Sequence, residues 1–251
     1  MSIRNICSLW RGLDPAYPTN VAIVLGSAAC WVLWGASLGL SVFLAWALTR
    51  ELDPDHPASA VLAAGLAGLG GYSSGLFVLL LALRLVNRSP GTPARLLDSL
   101  LVLGLAWARP QAAWLVAAAF LLDASLERPL KRHFVFAALA LVLMAQGSDF
   151  SGHLSVQLSW GLILCLSFLS LCIETGPMES VGDANGRRLL GSRVLAAQLL
   201  AVLCALLTTW WWQAAGVYCW WSLWSGLFAV VCWRAGSWIW RWLASNSRLS
   251  P

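Results

Sequence analysis

Only 11% of this 251-residue chain is charged, so each ionisable side chain inside an apolar stretch marks a place where chemistry can occur. Arg109 lies beside Pro110 in mid-stretch. Asp98 and Asp123 bracket the same stretch, Glu127 follows one turn later, and Glu174 closes another stretch just before Thr175, Gly176 and Pro177. A charge at membrane depth is expensive, so it marks a pairing partner, a proton path or a substrate site. Carboxylates in a bundle of low dielectric exchange protons closer to neutrality than they do in water. Glu174 has a second peculiarity. At a helix C-terminus it faces the negative end of the peptide dipoles, which disfavours its charge, and Arg187, Arg188 and Arg193 are its candidate partners. Arg109 is expected to be buried among helices against a carboxylate or several carbonyls.

Other catalytic patterns are missing. The chain has no G-x-S-x-G, no H-E-x-x-H, no D-x-x-x-D and no glycine-rich phosphate loop. His56, His133 and His153 are far apart, and the seven cysteines form no C-x-x-C pair. The expectation is therefore a chain that is not catalytic alone and binds no metal or cofactor of its own.

These side chains must be positioned by lipid-facing helices. Hydrophobic residues make up 59% of the chain and the mean hydropathy is +0.74, whereas a soluble domain carries about 25% charged residues. The expected fold is an all-α, polytopic transmembrane bundle forming a single domain over residues 1–251, with no soluble domain and no cleaved leader. A crossing needs about 20 apolar residues. That places seven spans near 21–48, 59–84, 99–122, 134–148, 155–173, 194–213 and 215–240. Breakers mark the connections, among them Pro54, Pro57, Pro90, Gly91, Pro177 and Gly186.

Seven spans put the termini on opposite sides. One side then holds Arg4, Arg11, Arg84, Arg88 and Arg95. The other holds Arg50, Arg128, Lys131, Arg132, Arg187, Arg188, Arg193, Arg234, Arg241 and Arg248. The positive-inside rule makes the second side cytoplasmic, with the N-terminus outside a cell membrane of the bacterial inner-membrane kind. The net charge of +5 follows from these helix ends and is no nucleic-acid signal. Among the 17 tryptophans, Trp210, Trp211, Trp212, Trp220, Trp221 and Trp224 are expected to form an outer interfacial belt, and Trp238, Trp240 and Trp242 an inner one. Ser73, Ser74, Gln111, Gln146, Gln157 and Gln198 are read as interhelical hydrogen-bonding groups. Gly65, Gly68, Gly70 and Gly71 are read as a close-packing flank.

Residues 92–183 resemble the membrane subunit that joins the two arms of respiratory complex I (its subunit 1 family), in the version found in formate hydrogenlyases and other membrane-bound hydrogenases. That family runs a helix with Ala-Arg, an acidic loop, a helix opening Glu-Pro, a Gly-Ser-Thr-like turn and a helix ending Glu-x-Gly. The corresponding stretches here are LLDSLLVLGLAWAR (Leu96 to Arg109), LLDASLERPLKRHF (Leu121 to Phe134), ALALVLMAQGSDFSGHL (Ala138 to Leu154) and LCLSFLSLCIETGPMESVGD (Leu164 to Asp183). The resemblance implies that Arg109, Asp123, Glu127, Glu174 and Asp183 belong to a proton path. It also implies a place in an ion-translocating redox complex, between a cytoplasmic redox module and the membrane arm. The family's Arg-x-Gly-Pro is missing between residues 49 and 58, and Glu179, Ser180 and Val181 stand where Pro-Phe is usual. Those departures keep two other readings open: a structural anchor or assembly subunit, and a stand-alone solute transporter or channel lined by the Arg109-Pro110 break. The expected partners are the bilayer and other membrane and cytoplasmic subunits, with no nucleic acid.

Overall fold

The computed structural model describes residues 18–126, 131–145, 156–172, 177–182 and 186–246. The described residues are helical apart from their connections and one short ribbon. Ten helices appear: α1 (Pro18–Trp34), α2 (Ala36–Leu52), α3 (Pro57–Leu66), α4 (Gly75–Asn87), α5 (Leu96–Ala108), α6 (Ala113–Leu126), α7 (Lys131–Ala145), α8 (Val156–Cys172), α9 (Gly191–Cys219) and α10 (Trp221–Asn246).

Three of the seven expected spans are divided, which is the main departure from the sequence reading. The stretch 21–48 breaks at Gly35, whose φ of +99° is a conformation that other residues rarely adopt. The chain then folds back. A Cβ at Gly39 would lie 2.7 Å from the Ser27 carbonyl oxygen, so α1 and α2 cross at a contact only glycine permits. The stretch 59–84 breaks over residues 70–74 between the 3-10 turn Ala67–Leu69 and α4. The stretch 99–122 breaks at Arg109, which is extended rather than helical (φ −138°, ψ 72°). Pro110 explains this, because its ring disfavours helical backbone in the residue before it.

Each break reverses the chain, so successive helices alternate in direction and share two common ends. At one end Asn87 Nδ2 donates to the Glu51 carbonyl (2.7 Å), Gln198 Nε2 to the Leu52 carbonyl (2.7 Å) and Arg234 to the Leu171 carbonyl (2.9 Å). Arg132 donates to the Ala94 carbonyl there as well. At the far end the Gly71 N–H donates to the Tyr218 carbonyl (3.0 Å), and Trp221 Nε1 to the Leu66 carbonyl (2.8 Å). Leu44, Leu48, Leu79, Leu83, Leu115 and Phe120 are fully buried between the ends.

Length separates these helices. The 29-residue α9 is the one described helix long and apolar enough to cross a membrane by itself, and it is kinked at Gln213 (φ 49°, ψ −127°). The 13-residue α4 and α5 rise only about 20 Å each, against a hydrocarbon thickness of about 30 Å. The outer surface is apolar: Val32 is 84% exposed and Trp240 74%.

The two-stranded ribbon was not part of the expectation. Strand β1 (Pro177–Val181) pairs antiparallel with β2 (Arg188–Leu190), with Pro177 opposite Leu190 and Val181 opposite Arg188. It is fastened to the α2–α3 connection by Asp55, whose carboxylate accepts the backbone N–H groups of Glu179 (3.0 Å) and Ser180 (2.7 Å). Burial pushes the Asp55 carboxyl upward. The hydrogen bonds from the Ser180 side chain and the two amides outweigh it and hold Asp55 below the ordinary carboxylate range.

Candidate functional site

The largest concentration of buried charge lies at the end shared by the close of α4 and α6 and the start of α7 and α9. Asp123, 2% exposed, is its centre. Arg88 Nε donates to Asp123 Oδ1 at 2.8 Å and Arg193 Nη1 donates to the same oxygen at 2.7 Å. His133 brings Nδ1 within 2.8 Å of Oδ2, with its ring against Phe120 (centroids 5.2 Å apart). Arg193 also donates to the Val86 carbonyl at 2.8 Å. Local structure explains how these groups meet. Arg88 caps α4 in a left-handed turn (φ 51°) that swings its side chain off the helix path just before Ser89, Pro90 and Gly91. Arg193 lies in the first turn of α9, and His133 in the first turn of α7.

Two further pairs flank this centre. Asp53, fully buried, accepts from Arg234 Nη2 at 2.6 Å and lies 2.9 Å from His56 Nδ1, and Ser59 Oγ donates to its other oxygen at 3.3 Å. Glu51 accepts from Asn87 Nδ2 (3.0 Å) and Ser89 Oγ (3.0 Å), with Arg84 Nε 3.6 Å away. Each acid ties helices far apart in sequence: α2 to α10, α2 to α4, and α6 to α4 and α9. Each carboxylate faces at least one guanidinium group, and removing one partner of such a buried pair leaves the other charge uncompensated.

Several expected site residues are placed differently from the sequence reading. Asp123 is buried and paired as a membrane acid should be, but its partners are Arg88, Arg193 and His133. Glu127, Glu174 and Asp183 lie outside the described residues. Arg193, a candidate partner of Glu174, is engaged by Asp123. Arg84, Arg88 and Arg95, which the span count put on the opposite side from Arg50 and Arg193, share their end, because the divided spans reverse the chain. Asp98 lies there too. Its carboxylate accepts the Arg95 N–H at 2.9 Å and caps α5.

Arg109 is the clearest correction. It was expected to be buried in mid-span against an acid, but it is exposed at the far end on the α5–α6 turn. It opens onto a cavity of about 390 Å³ lined by Ser73, Ser74, Gln111, Trp114, Trp212 and Trp220. Its side chain forms no hydrogen bond or ion pair among the described residues. The expected outer tryptophan belt is also divided. Trp210 and Trp212 are exposed, and Trp211 packs edge-on to Trp114 (5.9 Å). Trp220, Trp221 and Trp224 turn inward over glycines: a Cβ would come within 2.8 Å of Trp220 at Gly75, 2.2 Å of Trp221 at Gly70 and 2.9 Å of Trp224 at Gly161. Trp238, Trp240 and Trp242 are exposed along the end of α10.

The sequence reading missed Glu51, Asp53, Arg234 and His133 as members of the network. A signal existed for Arg234, which follows Val230, Val231, Cys232 and Trp233 well inside an expected span; a cation there needs a partner. For His133 no local signal exists. Among the described residues no three His, Cys, Asp or Glu side chains are grouped to hold a metal ion. Compared with protein-family models, curated proteins and solved structures, the chain matches none.

Proposed function

We propose that this chain is a non-catalytic integral membrane subunit whose charged end faces the cytoplasm and receives a partner there. One observation carries the reading. Among the described residues, Arg50, Arg84, Arg88, Arg95, Arg132, Arg187, Arg188, Arg193, Arg234 and Arg241 belong to one end of the bundle, while Arg109 alone belongs to the other. Lys/Arg bias of this kind sets orientation in membranes. The apolar outer surface supports a lipid environment, since water-soluble monomers rarely expose contiguous apolar patches beyond a few hundred Å². Pro18 of α1 and the end of α10 lie at the same end of the bundle, so on this reading both helix ends face the cytoplasm. The seven-span count instead expects the N-terminus outside.

Membership of an ion-translocating redox complex is the narrower form of the proposal, and it rests on the resemblance over residues 92–183. Asp123 is the one described acid of its proton path. Its two arginine partners favour a structural tie at that position, and between the two ends the described buried polar groups are hydroxyls such as Thr49 and Ser225. The assembly reading is therefore favoured over proton carriage by this chain.

Reporter fusions and cysteine labelling at each terminus test the orientation: both report the cytoplasm, and an external N-terminus would overturn it. Native copurification tests the subunit. The expected result is a stable complex with another polypeptide that dissociates in high salt. A chain that remains monomeric in its own membrane, at native expression and low salt, would end the proposal.

A further inference from the structure

We propose that the cavity beside Arg109 binds a small organic monoanion, a carboxylate carried on a flat apolar body. Three independent features of the far end meet there. The first is the cation. Every other described arginine belongs to the opposite end with the described acids, and no described carboxylate pairs with Arg109. The planar fork of its guanidinium matches a carboxylate in two parallel hydrogen bonds.

The second feature is the lining. A volume of about 390 Å³ falls in the range of small-molecule sites, which are mostly apolar with a few placed polar groups. Here the polar groups are Arg109, Gln111, Ser73 and Ser74, and the apolar walls are Trp114, Trp212 and Trp220. Indole faces favour offset stacking on a flat ring. Among the described residues one cation lines the cavity, so a monoanion is matched and a dianion such as a phosphate monoester is left half neutralised.

The third feature is the backbone. The chain is interrupted at residues 70–74, at Arg109-Pro110 and at Gln213, and each interruption contributes residues to this one cavity: Ser73 and Ser74, Arg109 and Gln111, and Trp212 and Ala215. Gln213 is not glycine, yet it has φ 49° and ψ −127°. Conformations of that kind are strained and cluster where a ligand is held. Interrupted membrane helices likewise border substrate sites.

The test uses the full chain in phosphatidylcholine nanodiscs, titrated with 2-naphthoate and with the uncharged isostere 2-naphthamide. Naphthoate is expected to bind saturably and the amide at least about tenfold more weakly. Arg109→Gln is expected to weaken naphthoate by about tenfold to a hundredfold and leave the amide unchanged, the range set by a charge-assisted hydrogen bond. Arg241→Gln, an exposed arginine of the opposite end, should leave naphthoate binding as in the wild type. Replacing half the lipid with phosphatidylglycerol decides the source of the natural anion. Lack of competition supports a free carboxylate, whereas competition that depends on Arg109 assigns the site to a phosphodiester headgroup and overturns the carboxylate. The proposal is overturned if naphthoate does not saturate, if acid and amide bind alike, or if Arg109→Gln has no more effect than Arg241→Gln.

Discussion

Arg193 and Arg109 lie at opposite ends of the bundle and represent opposite ways of holding a cation among apolar helices. Arg193 is 2% exposed and held by Asp123 and the Val86 carbonyl. Arg109 is exposed, with no side-chain partner among the described residues, at the rim of a cavity. The charged end sets its buried arginines against acids and backbone carbonyls of other helices. Among the described residues the far end has one arginine, and it lies at a cavity rim with no acid beside it. Charge that is already paired holds helices together, and charge that is unpaired beside a cavity is free to meet a ligand.

The largest expected effect tests the charged end. Asp123→Ala leaves Arg88, Arg193 and His133 without their shared carboxylate, and losing one partner of a buried ion pair costs about 3–5 kcal/mol. Thermal unfolding in detergent should show the loss as a lower midpoint. A shift within error of wild type would mean that Asp123 does not hold α4, α6 and α9 together.

The Asp53–Arg234 pair should behave alike and on its own account. Separate Asp53→Asn and Arg234→Leu variants should each destabilise, and the double variant should lose less than their sum by about 0.5–3 kcal/mol. Full additivity would deny the contact between α2 and α10.

At the far end, crowding takes the place of charge. Gly70→Ala sets a Cβ against the Trp221 ring and should cost about 1–3 kcal/mol as overpacking, measured by the same unfolding midpoint. An unchanged midpoint would show that Trp221 is not held against the break.

Asp55 gives a smaller and pH-dependent effect. Its carboxyl titrates below the ordinary value of 3.8, so its contribution is fully present above that value and fades as pH falls through the lower folded one. Protection of the Glu179 and Ser180 amides from hydrogen exchange should follow that course. Asp55→Asn should lower protection at neutral pH by about 0.5–1.5 kcal/mol and remove the acid dependence.

Smallest of all is Arg109→Gln, expected to change stability by no more than about 0.5 kcal/mol, as for an exposed side chain without a structural partner. A large loss of stability would erase the difference between the two ends.

The sequence by itself determined that this chain is helical and apolar. With 59% hydrophobic and 11% charged residues in apolar runs of about 20 residues or more, a helix satisfies the backbone within each run. It also identified Asp123 as an acid that must find a partner, and it carried local stop signals in Gly35, in the Gly70 to Ser74 run and in Arg109-Pro110. What it did not determine is whether an apolar stretch of 24–28 residues runs on or doubles back. Hydropathy counts residues and is indifferent to direction, so seven continuous spans and ten alternating helices read alike until a glycine crossing such as Gly39 against Ser27 closes the hairpin. The reversal decides everything downstream. It moves Arg84, Arg88 and Arg95 to the end that holds Arg193, and it carries Arg109 from mid-span to a cavity rim. It also brings together Glu51 with Asn87, Asp53 with Arg234 and Asp123 with His133, pairs 10 to 181 residues apart. Those meetings depend on packing across the bundle, which no local pattern encodes.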